Sequence, residues 1–274
     1  MNWGMFMKKV LLIIFLFVIF IGIYGFFIDS NGFKMKEDTI LVDNLPTSFE
    51  GFKIIQLSDL KISSTEDIKR LKKIVNSINN EDADVFIFTG DLLGSDLRKE
   101  DINNITNELK NINVTLYKYA VIGDKDDRST YLNILENSDI KVLDNESTYL
   151  FYKDIKPIKL SGLTNLDNVD KALEMVDNYD TVLNIVLTHY PDYISNLLNK
   201  DIDVIFAGHS LKGQVRIPFY GGLIKKDWAK TYIDNYYEID GKRLYISGGI
   251  GTEKVRFRLF NKPEVNLYTL KNRT

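Results

Sequence analysis

The chain has only two histidines, and each closes an apolar run. His189 ends the stretch over residues 182–188. His209 follows Val204-Ile205-Phe206-Ala207-Gly208 and leads into Ser210-Leu211-Lys212-Gly213-Gln214. Three earlier apolar runs end in carboxylates. Residues 52–57 lead to Ser58-Asp59, residues 85–88 to Thr89-Gly90-Asp91, and residues 119–122 to Gly123-Asp124-Lys125-Asp126. One Gly-Asp is common in turns, and one histidine in a turn is more often simply hydrogen-bonded. Five such endings in succession point to one shared site, because ligands of open α/β sheets bind beyond the carboxyl ends of the strands. Carboxylates and imidazoles gathered there need a cation among them. Oxygen and imidazole donors suit Zn, Mn or Fe.

The elements that must position these residues alternate. Helical stripes separate the apolar runs: Ile68, Leu71, Val75 and Ile78 after the capping hydroxyls of residues 63–65, then Ile102, Ile105 and Leu109, then Tyr131, Ile134 and Leu135. Further strands are expected near 141–143 and 158–160. Val169, Ala172, Leu173 and Val176 form a stripe before the His189 run. Ile194, Leu197 and Leu198 form another before the His209 run. Continuous apolar strands between amphipathic helices predict sheets buried on both faces. Residues 232–239, 243–247, 255–259 and 265–270 read as closely spaced strands, which predicts a second, more antiparallel sheet region.

Of the 274 residues, 45% are hydrophobic and 27% charged, a globular composition. The net charge of -3, with signs mixed along the chain, gives no basic footprint for nucleic acid. There are no cysteines, which excludes disulfides and thiolate metal sites. Residues 10–28 carry no charge. At ~1.5 Å per residue they reach about 28 Å, close to the hydrocarbon thickness of a bilayer. The run is longer than the apolar part of a signal peptide and lacks an Ala-x-Ala cleavage pattern. Lys8 and Lys9 abut it. The sequence therefore predicts a cytoplasmic segment over 1–9, a single-pass anchor in the cell membrane over 10–28, and a tether over 29–38. One extracytoplasmic domain over 39–274 completes the expectation.

Leu57-Ser58-Asp59-Leu60, Thr89-Gly90-Asp91-Leu92, Gly123-Asp124-Lys125-Asp126, Thr188-His189-Tyr190-Pro191 and Gly208-His209-Ser210-Leu211 resemble the ordered motifs of calcineurin-like metallophosphoesterases. The closest likeness is to the membrane-associated or exported bacterial branch. The similarity extends over residues 39–270 and takes in residues 248–251, Arg256 and Pro263-Glu264. It implies a four-layer α/β/β/α sandwich of two mixed sheets, behind one transmembrane helix, with a dinuclear metal centre at the strand ends. The family pattern is Asp-x-His, Gly-Asp-x-x-Asp, Gly-Asn-His-Asp/Glu, His and Gly-His-x-His. Here Lys61 stands at the first histidine and Gly94 at the last Asp of the second motif. Asp124 replaces the asparagine, Lys125 the next histidine and Leu211 the last histidine.

Carried over residue by residue, one metal position keeps Asp91, Asp124, His189 and His209. The other keeps Asp59 and Asp91 and loses both imidazoles. The expected cofactor is one divalent ion, Mn, Fe or Zn, rather than two, with the Lys61 ammonium supplying the missing charge. The expected activity is hydrolysis of an anionic phosphoester, lipid or cell-envelope, by a metal-activated water, with Asp91, Lys61 and Lys125 in catalytic roles. Lys125, Lys225 and Lys226 are candidates for binding substrate, the last two in a segment, 218–234, expected to overhang the cleft beside Trp228. The four departures at ligand or catalytic positions, Lys61, Asp124, Lys125 and Leu211, leave a second reading open: an inactive member that binds a phosphorylated ligand or a protein partner. The sequence names no such partner.

Overall fold

The computed structural model describes residues 3–94, 97–174 and 179–273. Helix α1 (Trp3–Ile23) is apolar on every face from Val10 onward and continues as a π-helix over Tyr24–Asp29. Together they include a stretch, Phe6–Asp29, long and apolar enough to cross a membrane. The chain then enters β1 (Lys34–Val42), so residues 34–38, read above as tether, are the first half of a strand. Their charged side chains suit a sheet edge, and that edge exists only because the far end of the chain returns to pair with it.

The first half of the domain runs β2 (Lys53–Leu57), α2 (Thr65–Asn79), β3 (Val85–Phe88), α3 (Lys99–Lys110), β4 (Tyr117–Ala120), α4 (Arg128–Asn137) and β5 (Lys141–Val142). The second runs β6 (Glu146–Leu150), β7 (Ile158–Leu163), α5 (Val169–Leu173), β8 (Leu183–Thr188) and β9 (Val204–Ala207). A short hairpin of β10 (Arg216–Ile217) and β11 (Gly221–Gly222) follows. Strands β12 (Tyr236–Ile239), β13 (Lys242–Ile246) and β14 (Glu264–Asn272) close the chain.

Two six-stranded sheets result, in the orders β1-β14-β2-β3-β4-β5 and β12-β13-β9-β8-β7-β6. Both are mixed. In the first, β2 to β5 are parallel and β14 runs antiparallel to β2 but parallel to β1. In the second, β7, β8, β9 and β13 are parallel and the outer strands β6 and β12 are antiparallel. The period of two along each strand sets the layers. Ile54, Val85, Ile87, Val204 and Phe206 meet in the core between the sheets. Ile55, Phe86 and Phe88 face α2, α3 and α4, while Ile205 and Ala207 face the opposite layer with Ala172 and Ile194. This is the four-layer α/β/β/α sandwich.

Among the described residues, the expected second, more antiparallel region is divided between the two sheets: β12 and β13 pair antiparallel at the edge of the second, and β14 is inserted antiparallel to β2 in the first. Residues 255–259 do not form a strand. Val215 and Leu259 share a single bridge, and the segment instead receives the N-terminal helix. A Cβ on Gly25 would lie 2.2 Å from the Phe257 ring. The Ser30 hydroxyl donates to the Gly25 carbonyl at 2.6 Å and accepts from the Arg258 amide at 2.7 Å. The stripe at Ile194 and Leu197 is a 3-10 turn, Pro191–Asn196, too short for an α-helix. Val176 lies outside the described residues.

Candidate metal centre

The strand ends turn sharply where the chemistry sits. Asp59, Lys61, Asp91 and His209 have φ of 48°, 46°, 59° and 65°. Left-handed backbone at a non-glycine residue costs on the order of 1–3 kcal/mol, and such residues gather where function holds them. The turns are cross-braced. Asp126 accepts from the amides of Asp91 (2.9 Å), Leu92 (2.8 Å) and Gly123 (2.8 Å), tying the β3 loop to the β4 loop. Burial, followed by the nearby Asp91 charge, raises the Asp126 pKa. Asp126→Ala is expected to lower stability by about 3 kcal/mol, since each stranded amide costs roughly 1–3 and the losses overlap. Urea unfolding measures it, and a change within 0.5 kcal/mol (about the scatter of surface substitutions) would rule the brace out.

Asp91, Asp124, His189 and His209 each present one ligand atom, all within 4.8 Å of one another. His189 Nε2 and His209 Nδ1 face each other at 3.0 Å, and each is 3.3 Å from Asp124 Oδ1. Asp91 Oδ2 is 3.5 Å from His189 Nε2. The outer ring nitrogens are committed elsewhere. His189 Nδ1 donates to the Thr89 carbonyl at 2.6 Å, and His209 Nε2 to the Asp227 carbonyl at 2.8 Å. Those bonds assign the tautomers and leave the two inner nitrogens as lone pairs pointed at one another. Two facing lone pairs need a proton or a cation between them. Burial opposes an imidazolium at His189, but the charges of Asp91, Asp124 and Asp59 outweigh it and push its pKa up to about 10. Burial likewise opposes the charged forms of Asp91 and Asp124, and their histidine partners win, holding both carboxyls below the usual range. Two nitrogen and two oxygen donors, with backbone carbonyls fixing both rings, fit a divalent ion such as Zn, Mn or Fe.

The neighbouring position differs. Asp59 Oδ2 accepts from the Ser58 hydroxyl at 2.7 Å and from the His209 amide at 2.9 Å. Its Oδ1 is buried without a hydrogen bond. The Lys61 ammonium lies 3.7 Å from that oxygen, pairs closely with Asp91 Oδ2, and is 3.0 Å from Glu253 Oε1. The Lys61 side chain is 7% exposed. Burial alone would lower its pKa, yet the three carboxylates raise it above the ordinary lysine value, so it stays charged. Leu211 is buried beside it: a Cβ on Gly249 would crowd both Asp59 Cβ (2.7 Å) and Leu211 Cδ2 (2.8 Å).

The other lysines separate. Lys125 is half exposed at the rim, its ammonium 3.1 Å from Asp124 Oδ2, while its backbone amide donates to Asp91 Oδ1 at 3.0 Å. Lys226 turns inward, donating to Glu253 Oε1 (2.8 Å) and to the His209 carbonyl (3.0 Å). It steadies the centre instead of offering a free ammonium to substrate. Lys225 is exposed and lines neither of the clefts described below. Segment 218–234 does cover the centre, through Asp227 and through Trp228 packed edge-on to Tyr193.

Two contributors escaped the sequence reading. Glu253 reaches Lys61 from the far end of the chain, with no motif to flag it. Arg258 is fully buried and donates to the carbonyls of Gly248, Gly249, Gly251 and Asn261. Gly251 in turn donates to the Asp59 carbonyl at 2.7 Å. Arg256, singled out from the sequence, is exposed and faces Asp67 at 3.6 Å.

A family model described as calcineurin-like phosphoesterase matches residues 52–213. The chain is 26% identical to an uncharacterized metallophosphoesterase, YkuE, of Bacillus subtilis, over 92% of its own length and 91% of that protein. It is 24% identical to the UDP-2,3-diacylglucosamine pyrophosphatase LpxG of Chlamydia muridarum, over 81% of this chain and 85% of that one. It is also 24% identical to a transmembrane protein with metallophosphoesterase domain from Danio rerio, across 98% of this chain but 64% of that protein.

Proposed function

The chain belongs to the calcineurin-like phosphoesterases, and on that premise we propose that it hydrolyses a phosphoester at one divalent ion, with Lys61 in place of a second. The observation that carries this reading is the pair of inner ring nitrogens, 3.0 Å apart with both outer nitrogens committed to carbonyls, beside an ammonium already seated between Asp59 and Asp91. A divalent ion held by Asp91, Asp124, His189 and His209 supplies Lewis acidity toward a phosphoryl group. The protein's own groups do the rest. Thr89 and Asp227 hold the imidazoles in register through their carbonyls. Lys61 presents a fixed positive charge to phosphoryl oxygens and, with its pKa raised, keeps its proton. Lys125, charged by its hydrogen bond to Asp124, reaches a non-bridging oxygen from the rim.

The anchor reading belongs to the same proposal. Helix α1 fixes the domain to the cell membrane with residues 1–9 in the cytoplasm and the domain outside. A lipid or cell-envelope phosphoester is then the substrate within reach. The relatives named for a lipid-sugar pyrophosphatase and for a transmembrane protein support that direction. A non-catalytic binder of phosphorylated ligands is the second reading, favoured by the amine that fills one metal position.

The test counts ions and turnover together. Purified protein is expected to carry about one equivalent of metal, in a site with the donor set for it, and His209→Ala to lose it. With Mn added, wild type is expected to hydrolyse bis(p-nitrophenyl) phosphate while Asp91→Asn stays at the no-enzyme rate. Two tightly held ions, or none, would overturn the one-ion site. Equal rates for the two proteins would favour the binder.

A further inference from the structure

Two clefts meet at Glu253 and Lys254. The first, about 620 Å³, is charged and contains Lys61, Lys125 and Arg256. The second, about 830 Å³, is apolar. It runs between α1 and the domain, with Val18, Gly22 and Phe26 on the helix wall and Val215, Ile224 and Val255 opposite. Its polar end is the Lys226–Glu253 pair, and Glu253 also accepts from Lys61 at 3.0 Å. The groove therefore leads from the side of the apolar helix to the ammonium at the metal centre.

We propose that this groove holds an acyl chain of the substrate, so that an acylated phosphoester enters sideways from the bilayer with its phosphate at Lys61. The proposal rests on the phosphoesterase reading above and adds the substrate's apolar half. Three observations select lipid as the occupant. The helix wall lies within the stretch Phe6–Asp29, so hydrocarbon is what meets it. From Val18 to Phe26 the wall spans about 12 Å at ~1.5 Å per residue, the half of that apolar stretch next to the domain, where acyl chains meet the interface. Beside the groove, Ile217, Phe219, Tyr220 and Leu223 are exposed on and after the β10–β11 hairpin. An exposed apolar patch flanking a span suits the membrane interface. The docking of Gly25 and Ser30 on residues 257–258 holds the groove at a set width.

Gly22 provides the test, because a Cβ there meets nothing within 4 Å. Gly22→Phe places a ring on the groove wall from a Cβ that has room. Full-length protein is reconstituted in vesicles of phosphatidylglycerol containing a photoactivatable acyl analogue. Label is expected in peptides covering 214–226 and 253–257, falling several-fold with Gly22→Phe. Label spread over the outer helix face and unchanged by Gly22→Phe would overturn the groove. A wild-type rate on bis(p-nitrophenyl) phosphate, which has no acyl chain, would then leave the phosphoesterase reading standing. No hydrolysis of that ester or of the phospholipid overturns the assignment of lipid as substrate, whatever the label shows.

Discussion

Lys61→Met is expected to cost the domain about 3–5 kcal/mol, the range for breaking a buried ion pair from one side. The ammonium lies among Asp59, Asp91 and Glu253, and both aspartates are fully buried. Without it, two carboxylates share a buried pocket, and the bare Asp59 Oδ1 loses the ammonium 3.7 Å away. The lysine pKa is raised in the folded state, against burial, by those carboxylates. Its contribution is therefore fully present below the ordinary lysine pKa and is lost only as pH climbs through the raised one. Urea unfolding at neutral pH and limiting metal should show the full loss. A double-mutant cycle identifies the cause: Asp59→Asn should cost less in the Lys61→Met background than alone, because there it removes one of two carboxylates left repelling each other. Additive losses, or a Lys61→Met change under 1 kcal/mol (about the net worth of one hydrogen bond), would make the lysine an idle substitution.

That role could not be read from the sequence, and the reason is geometric. A lysine two residues after an aspartate is ordinary. It points inward because Asp59 and Lys61 both adopt left-handed backbone, and because Glu253 arrives from nearly two hundred positions away. The histidines were legible for the opposite reason. There are only two, each follows a largely apolar strand, and parallel strands β8 and β9 are neighbours, so their ends must meet. The β3 and β9 runs were the plainest, since a strand covered on both faces has no polar positions to blur it.

The edges were harder. Strand β1 carries four charged residues in its first five positions and pairs with β14, more than two hundred residues later. Residues 255–259 carry a strand-like alternation, but Arg258 faces inward to cradle the 248–251 loop, and the N-terminal helix occupies the place of a partner strand. Local pattern foretells an element when its neighbours are also local. Both failures involve partners from opposite ends of the chain.

The remaining large effect is a gain. Lys61→His combined with Leu211→His is expected to raise the bound metal from about one equivalent to two. The acceptors are already present: Asp59 Oδ1, buried without a hydrogen bond, and Asp91 Oδ2, now closely paired with Lys61. Two added imidazoles would complete a four-donor set. The backbone favours the change. Residues 61 and 211 have φ of 46°, and histidine is enriched in that region where bulky aliphatic residues are not. Leu211 is buried and crowds the same point above Gly249 as Asp59, so a ring of similar size replaces it without opening a cavity. Either change alone supplies three donors and should bind a second ion weakly. Elemental analysis after dialysis gives the count, and spin coupling in the Mn-loaded double variant would show that the ions are adjacent. One equivalent in the double variant, with His209→Ala still removing it, would mean that the pocket around Lys61 has been reshaped beyond its side chains. The amine would then be part of a different site and not a cation standing in for a metal.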